Sequence, residues 1–445
     1  MDESDAQKCF LAARTEGLGG RLRAMINAMV LAEHFGVDFK FQWRQRGADA
    51  QQHHAILTPQ ATFSRSFLTK HHIDRIQARD YPALAGRNQS PAAIRRLLAS
   101  PIKGLSVSQE PVNRIVDLSD LKNLRGCYVR AFRQIRFVPK VQAAIEAARV
   151  LPLPDHCVAI HLRAGDIVYG NFRFASTATG KTVCYPVVKR LIADLIAQGK
   201  YPLIFGQDKT VCRMLAQRFK LKAAADMLKQ GDALPAALSE VVLMSRCETI
   251  YAGPSGFSIL GSMIGNKKLE TPAASWTPQE IVDCILADDE IDDPSSSLPD
   301  LQRAFSFYMV AYAGMDTIPN RVVIDALAKA LAYDPGNAFY GLNKASLEVL
   351  EQDVDSAEAT LKAIVDHAEA AAVFEETVLY RAIQRAVVKR RVTERLAVPV
   401  CLHNLSGLAA AERPYISYIT ALAAFNCRRN GGGDPPGGSG GRLRP

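Results

Sequence analysis

The sequence predicts an α/β fold built on parallel strands, followed by an all-helical region. Three observations lead there. Apolar runs of strand length recur and empty into turns, helix-period segments lie between them, and after an acidic, Pro- and Ser-rich break the pattern becomes purely helical. The 445 residues leave room for two or three domains, and 48% hydrophobic with 22% charged residues is an ordinary globular balance. The net charge of +9, from 54 basic and 45 acidic residues, suits an anionic ligand or a nucleic acid. The excess is spread along the chain and singles out neither, so no nucleic-acid partner is expected.

Residues 8 to 43 read as strand, glycine-rich turn, helix and strand, one βαβ unit. Leu22, Met25, Ile26, Met29 and Val30 have helical spacing, Gly36 ends the helix, and VDFKF alternates as a strand does. The turn EGLGG lacks the full spacing of a dinucleotide fingerprint. Its glycines either let backbone approach a ligand, with Arg21 reaching into a cleft, or only relieve crowding in a tight turn. From residue 45 to 150 the signal weakens. His53 with His54, and His71 with His72, are adjacent pairs whose side chains point different ways, so they read as surface or loop histidines and not as a chelate. The stretch LRGCYVRAFRQIRFVPKVQ supplies a strand and then a helix from about Pro139, and the proline-bracketed link Leu151 to Pro154 is the first domain boundary.

The chain is organised around VAIHLRAGDIVYG, residues 158 to 170. A buried strand ends there in a turn carrying Arg163, Gly165 and Asp166, and open α/β sheets bind ligands just past the carboxyl ends of their strands. A guanidinium flanked by His161 and Asp166 suits a diphosphate, because Arg presents a planar fork of donors. The alternative is a surface strand end whose Arg163 and Asp166 pair with each other. Beyond it, the helix VVKRLIADLIAQGK leads to the strand YPLIFGQD, with Asp208 contacting a ligand or, the safer reading, capping the helix that begins near Thr210. A helix ending near Cys247, the strand TIYAG and the turn Gly253-Pro254-Ser255-Gly256 then open another helix. Its amides with the Ser255 and Ser258 hydroxyls form a phosphate cradle, or the same groups are only a cap. Arg163, Asp208 and Ser255 thus stand at three strand ends of one domain, and that coincidence favours a ligand site.

Three blocks, EGLGGRL, IHLRAGD and the run from Glu240 through MSRCETIYAGPSGFS, resemble the fucosyltransferase superfamily. That superfamily includes rhizobial nodulation, core α1,6-, bacterial α1,2- and protein O-fucosyltransferases. The resemblance implies a GT-B fold, two Rossmann-like domains facing a cleft: residues 1–150 on the acceptor side and 151–286 binding the GDP-sugar. It implies GDP-fucose as donor, a glycan or protein acceptor, inversion at the anomeric centre and no metal or other cofactor. Carried over, Arg163 becomes the β-phosphate ligand, His161 lies beside the nucleotide, Glu240 takes the place of a carboxylate that hydrogen-bonds guanine, and Ser255 with Gly256 binds phosphate. Arg21 falls where several relatives place a polar residue facing the cleft. A departing diphosphate gains charge as the glycosidic bond breaks, and positioned donors stabilise that gain. Two departures stand out. Asn171 occupies the position of a carboxylate assigned as base in the core α1,6 branch, and Ala164 replaces the second member of an arginine doublet. Asp166, the nearest carboxylate, joins Arg163 as a candidate catalytic residue, with the base itself left unassigned.

Residues 287–300, ADDEIDDPSSSLPD, read as a solvated linker, since no apolar strand precedes the aspartates as a metal-dependent transferase would need. Residues 301–428 read as an α-helical, tetratricopeptide-like region, clearest over 322–365 and flanked by helices at 301–313 and 372–395. Such a region binds a protein partner, drives self-association or caps the core. Residues 429–445 are a Gly- and Pro-rich flexible tail. The nine cysteines show no C-x-x-C pair and read as reduced core thiols. MDESDAQK lacks the regions of a secretion signal and no stretch is apolar enough to span a bilayer, so a cytoplasmic, bacterial-type glycosyltransferase is expected. The rival is a catalytically degenerate scaffold that binds a partner through its helices.

Overall fold

A computed structural model describes residues 8–44, 56–84, 88–119, 121, 123–174, 176–228, 231–315, 317–367, 401, 404–408 and 412–421. The chain begins with strand β1 (Cys9–Ala12), helix α1 (Leu18–Phe35) and strand β2 (Asp38–Phe41). Gly36 closes α1 in the left-handed conformation at φ 68° and returns its N–H to Ala32 O, which turns the chain into β2. A third strand, β3 (Gly104–Ser106), completes a parallel sheet of order β2-β1-β3. Helix α1 is buried along nearly its whole length, so its polar residues pair inward. Asn27 donates to Ser108 O at 3.0 Å and Glu110 O at 2.7 Å, and Arg23 donates to Gln109 O.

One departure from the expected elements occurs here. LRGCYVRAFRQ is a helix, α2 (Leu124–Gln134), not a strand. Asn123 caps it by accepting from Gly126 N, and the buried residues Cys127, Tyr128, Ala131 and Phe132 recur at helical spacing. His71 ends a short helix, Arg65–His71, and packs on Phe39 and Phe67, with Nδ1 3.0 Å from Phe39 O; His72 packs on Phe41. Both are half-buried, and this burial pushes the two imidazoles below their ordinary range. His53 and His54 lie outside the described residues.

Helix α3 (Pro139–Val150) leads through the Leu151 to Pro154 link into β4 (Cys157–Leu162), every residue of which is buried. Helix α4 (Tyr185–Ala197), strand β5 (Tyr201–Gly206), helix α5 (Lys209–Arg218), helix α6 (Ala233–Met244), strand β6 (Thr249–Ala252), helix α7 (Gly256–Gly265) and strand β7 (Lys268–Glu270) follow. The second sheet is parallel, in the order β5-β4-β6-β7. One apolar cluster runs from Phe10 on β1 through Met25 on α1 to Leu238 on α6 and Leu260 on α7. Each fully buried side chain of this kind adds roughly 1.5–3 kcal/mol.

The chain divides into two compact units, Met1–Arg163 with Asp194–Thr271, and Ala164–Ala193 with Pro272–Pro445. Both sheets fall in the first. The second holds helices α8 (Pro278–Leu286), α9 (Asp300–Gly314), α10 (Asn320–Tyr333), α11 (Ala338–Leu350) and α12 (Val354–Asp366), consecutive members packing on one another from α8 to α12. Residues 287–300 are mostly exposed but are held at several points. Arg303, 1% exposed, donates to the carbonyls of Asp293, Ser296 and Leu298, while Lys329 pairs with Asp292. Residues 372–395 and 429–445 lie outside the described residues. Among those described, no helix is long and apolar enough to cross a membrane. Of the cysteines described, Cys284 is half-buried and the rest are buried, all as free thiols.

Candidate functional site

The register of the second sheet brings the sequence-predicted positions to one edge. Leu162 of β4 pairs with Gly206 of β5, and His161 pairs with Ala252 of β6. Neighbouring strands run about 5 Å apart, so three carboxyl ends lie side by side. Arg163 comes one residue after β4, Asp208 two after β5 and Ser255 three after β6.

His161 is the most enclosed of the group. It is 5% exposed, its ring stacks on Phe257 at 5.3 Å and 23°, and its Nδ1 has no hydrogen-bond partner. Burial, with the positive charges of Arg163 and Lys209 nearby, pushes its pKa down to about 3, so the ring is neutral at physiological pH. A neutral imidazole can donate or accept, according to tautomer.

Glu240, on α6, is largely buried and pairs with Lys209, the first residue of α5. Burial holds its carboxyl above the usual range, opposed by the Lys209 charge. His161, Arg163, Lys209 and Glu240 therefore form one electrostatic cluster at the sheet edge. Lys209 is the member that sequence reasoning missed. Its only local signal is its place directly after Asp208; a pairing across 31 residues leaves no trace in the sequence.

The remaining predicted residues are held in other ways. Asp208 caps α5, its Oδ1 accepting from Val211 N at 3.0 Å, as the safer reading had it. Ser255 is fully buried in a capping box: its hydroxyl accepts from Ser258 N at 3.1 Å and meets Ser258 Oγ at 3.0 Å. Both hydroxyls are thus engaged inside the cap, differing from the cradle in which they would face a phosphate. Gly256 does sit at a tight junction. A Cβ on Gly19 would come 2.4 Å from Gly256 O and 2.8 Å from Phe257 N, so only glycine lets the first turns of α1 and α7 meet. Both helices direct their amide-rich, electropositive ends to that junction.

Arg21 differs from expectation. It is 2% exposed, donates to Glu16 O at 2.7 Å, Arg44 O at 2.6 Å and Thr15 O at 3.2 Å, and lies 5.0 Å over the Trp43 ring. It is a clamp on the turn ahead of α1 and does not reach into an open cleft. Asp166, 7% exposed, belongs to the second unit although it follows Arg163 by three residues. Among the described residues, no group of three His, Cys, Asp or Glu side chains is placed to hold a metal.

No protein-family model matches the sequence, and no curated protein sequence matches it. Solved structures do match. The chain is similar to NodZ alpha-1,6-fucosyltransferase, from crystals soaked with GDP-fucose, at 15% identity over 58% of this chain and 92% of that one, with a TM-score of 0.34. It is similar to fucosyltransferase NodZ from Bradyrhizobium at 13% identity over 57% and 92%, TM-score 0.34. It is also similar to POFUT1 in complex with GDP, at 10% identity over 59% and 98%, TM-score 0.34.

Proposed function

We propose that the chain is an inverting, metal-independent glycosyltransferase of GT-B type that moves fucose from GDP-fucose to a hydroxyl of a glycan or a protein. One observation carries the reading. His161, Arg163, Lys209 and Glu240 gather at the carboxyl edge of a parallel sheet, where such folds bind nucleotides. Arg163 would neutralise the β-phosphate as the glycosidic bond to fucose breaks, and Lys209, whose charge acts on the same imidazole as that of Arg163, would add a second charge. That second cation offsets the loss of an arginine doublet at Ala164. Glu240, once released from Lys209, would read the N–H edge of guanine, and His161 would pack beside the nucleotide. The choice of GDP and of fucose rests on the likeness of IHLRAGD and of the later block to fucosyltransferase motifs.

Titration calorimetry against GDP, UDP and ADP tests the donor. GDP is expected to bind at least tenfold tighter than the other two, about 1.4 kcal/mol. Equal affinities would remove the donor assignment. In an Arg163→Ala variant GDP binding should weaken by about 1.5–3 kcal/mol, the worth of a charge-assisted contact; undiminished binding would remove the site.

A scaffold without activity is favoured by two features, Asn171 in the place of a carboxylate and Ala164 in the place of a second arginine. Purified protein that binds GDP yet neither hydrolyses GDP-fucose nor transfers fucose to any glycan acceptor would support it.

A further inference from the structure

The helical region fastens the segment that follows Arg163. Residues 164–193 are grouped with the helices, although they interrupt the chain between β4 and β5. The first stretch, Gly165–Tyr169, packs on α9. Next, Arg173 meets the turn between α10 and α11. Its Nε lies 3.4 Å from Asp334 Oδ2, its carbonyl accepts from Asn337 Nδ2 at 3.4 Å, and its guanidinium covers the Phe174 ring at 4.2 Å. Asn337 also donates to Asp334 Oδ2 at 2.8 Å, which locks the turn itself. Further on, Thr179 Oγ1 lies 3.5 Å from Tyr308 OH, and a Cβ on Gly180 would come within 2.9 Å of Tyr312 OH. The segment ends with Tyr185 OH donating to Glu290 at 3.1 Å and with Lys189 pairing to Asp288 at 2.8 Å and Glu290 at 2.9 Å.

The Asp334 and Arg173 side chains are 6% and 20% exposed, so their attraction is screened less than that of a surface pair. An isolated loop of this length would sample many conformations, and each anchored point removes some of that freedom. Such anchoring has little bearing on a partner-binding face. It bears directly on Asp166, which lies in the anchored segment.

We propose that Asp334 and Asn337 are positioning residues, holding through Arg173 the segment that carries Asp166. The helical region then serves as a brace for the motif loop. The inference rests on the donor-site reading for its link to chemistry, while the brace itself is testable alone.

Hydrogen exchange in the full chain reads the brace without any ligand. Arg173→Ala and Asn337→Ala should each raise exchange of amides 164–181 about tenfold, with peptides of β1 and α1 unchanged. Arg173→Lys, which keeps the charge facing Asp334, should retain most of the protection. Turnover of GDP-fucose, followed as GDP release, reads the consequence. The two alanine variants should lose on the order of 10²-fold in kcat, with the donor KM held within about threefold, as misplacement of a reacting group predicts. Unchanged exchange in both variants overturns the brace. Faster exchange with unaltered kcat overturns its role in positioning. If the wild-type chain binds no GDP, the donor reading fails and exchange alone decides whether the helices hold the segment.

Discussion

His161 shows how one buried side chain sets a pH dependence. Its folded pKa is about 3, whereas in the unfolded chain it titrates near 6.5. On acidification the unfolded chain takes up the proton first, so the stabilising contribution is full above about pH 6.5 and is lost progressively as pH falls towards 3. A His161→Gln variant should therefore lose less Tm between pH 7 and pH 5 than the wild type. Parallel Tm curves would mean the imidazole is not held neutral. Glu240 offers a second test. Its raised carboxyl should cost GDP affinity on acidification at a higher pH than an ordinary carboxylate would, and Lys209→Met removes the charge that opposes the shift. The midpoint for loss of GDP should move up in that variant; an unmoved midpoint separates the two residues. Arg163, His161 and Glu240 stand out as candidates in the sequence because they sit in or beside motif blocks. Lys209 does not, because its role comes from a fold-made pairing.

At the scale of elements, α1 and α7 meet through glycine. Gly19→Ala would drive a methyl into the Gly256 carbonyl and the Phe257 amide, backbone atoms that cannot step aside as a side chain can. Overpacking of this kind costs about 1–3 kcal/mol, read as a lower urea midpoint with unchanged m. An unaffected midpoint would show that the junction is looser than drawn. The glycine turn, α1 and β2 were readable from helical spacing followed by alternation. Helix α2 was not, because Cys127, Tyr128 and Val129 with Ala131 and Phe132 make a short apolar run that suits either state. Asn123 and the spacing of its buried residues decide for helix, and they emerge only with the packing partners. Strand β3 is three residues long and begins with glycine, too short for any period to register.

For the molecule as a whole, the acidic segment 287–300 is largely exposed yet anchored at several points. Composition alone does not reveal that Lys189, Arg303 and Lys329 come to meet it. Arg303→Ala would leave the carbonyls of Asp293, Ser296 and Leu298 without their donor, at about 1–3 kcal/mol for each that stays buried. Exchange protection of α9 and α10 should fall in that variant while β1 and α1 hold theirs. Uniform loss across both units would show that they unfold together.

The passage of the chain from one compact unit to the other between Arg163 and Ala164 limits how this protein can be taken apart. A truncated version ending near residue 287 would keep both sheets and the motif arginine, yet the segment after it would lose its anchors on α9 and on the turn of Asp334 and Asn337. Shuffling the helical portion onto another enzyme, or trimming it for crystallisation, would amount to cutting into the loop that bears Asp166.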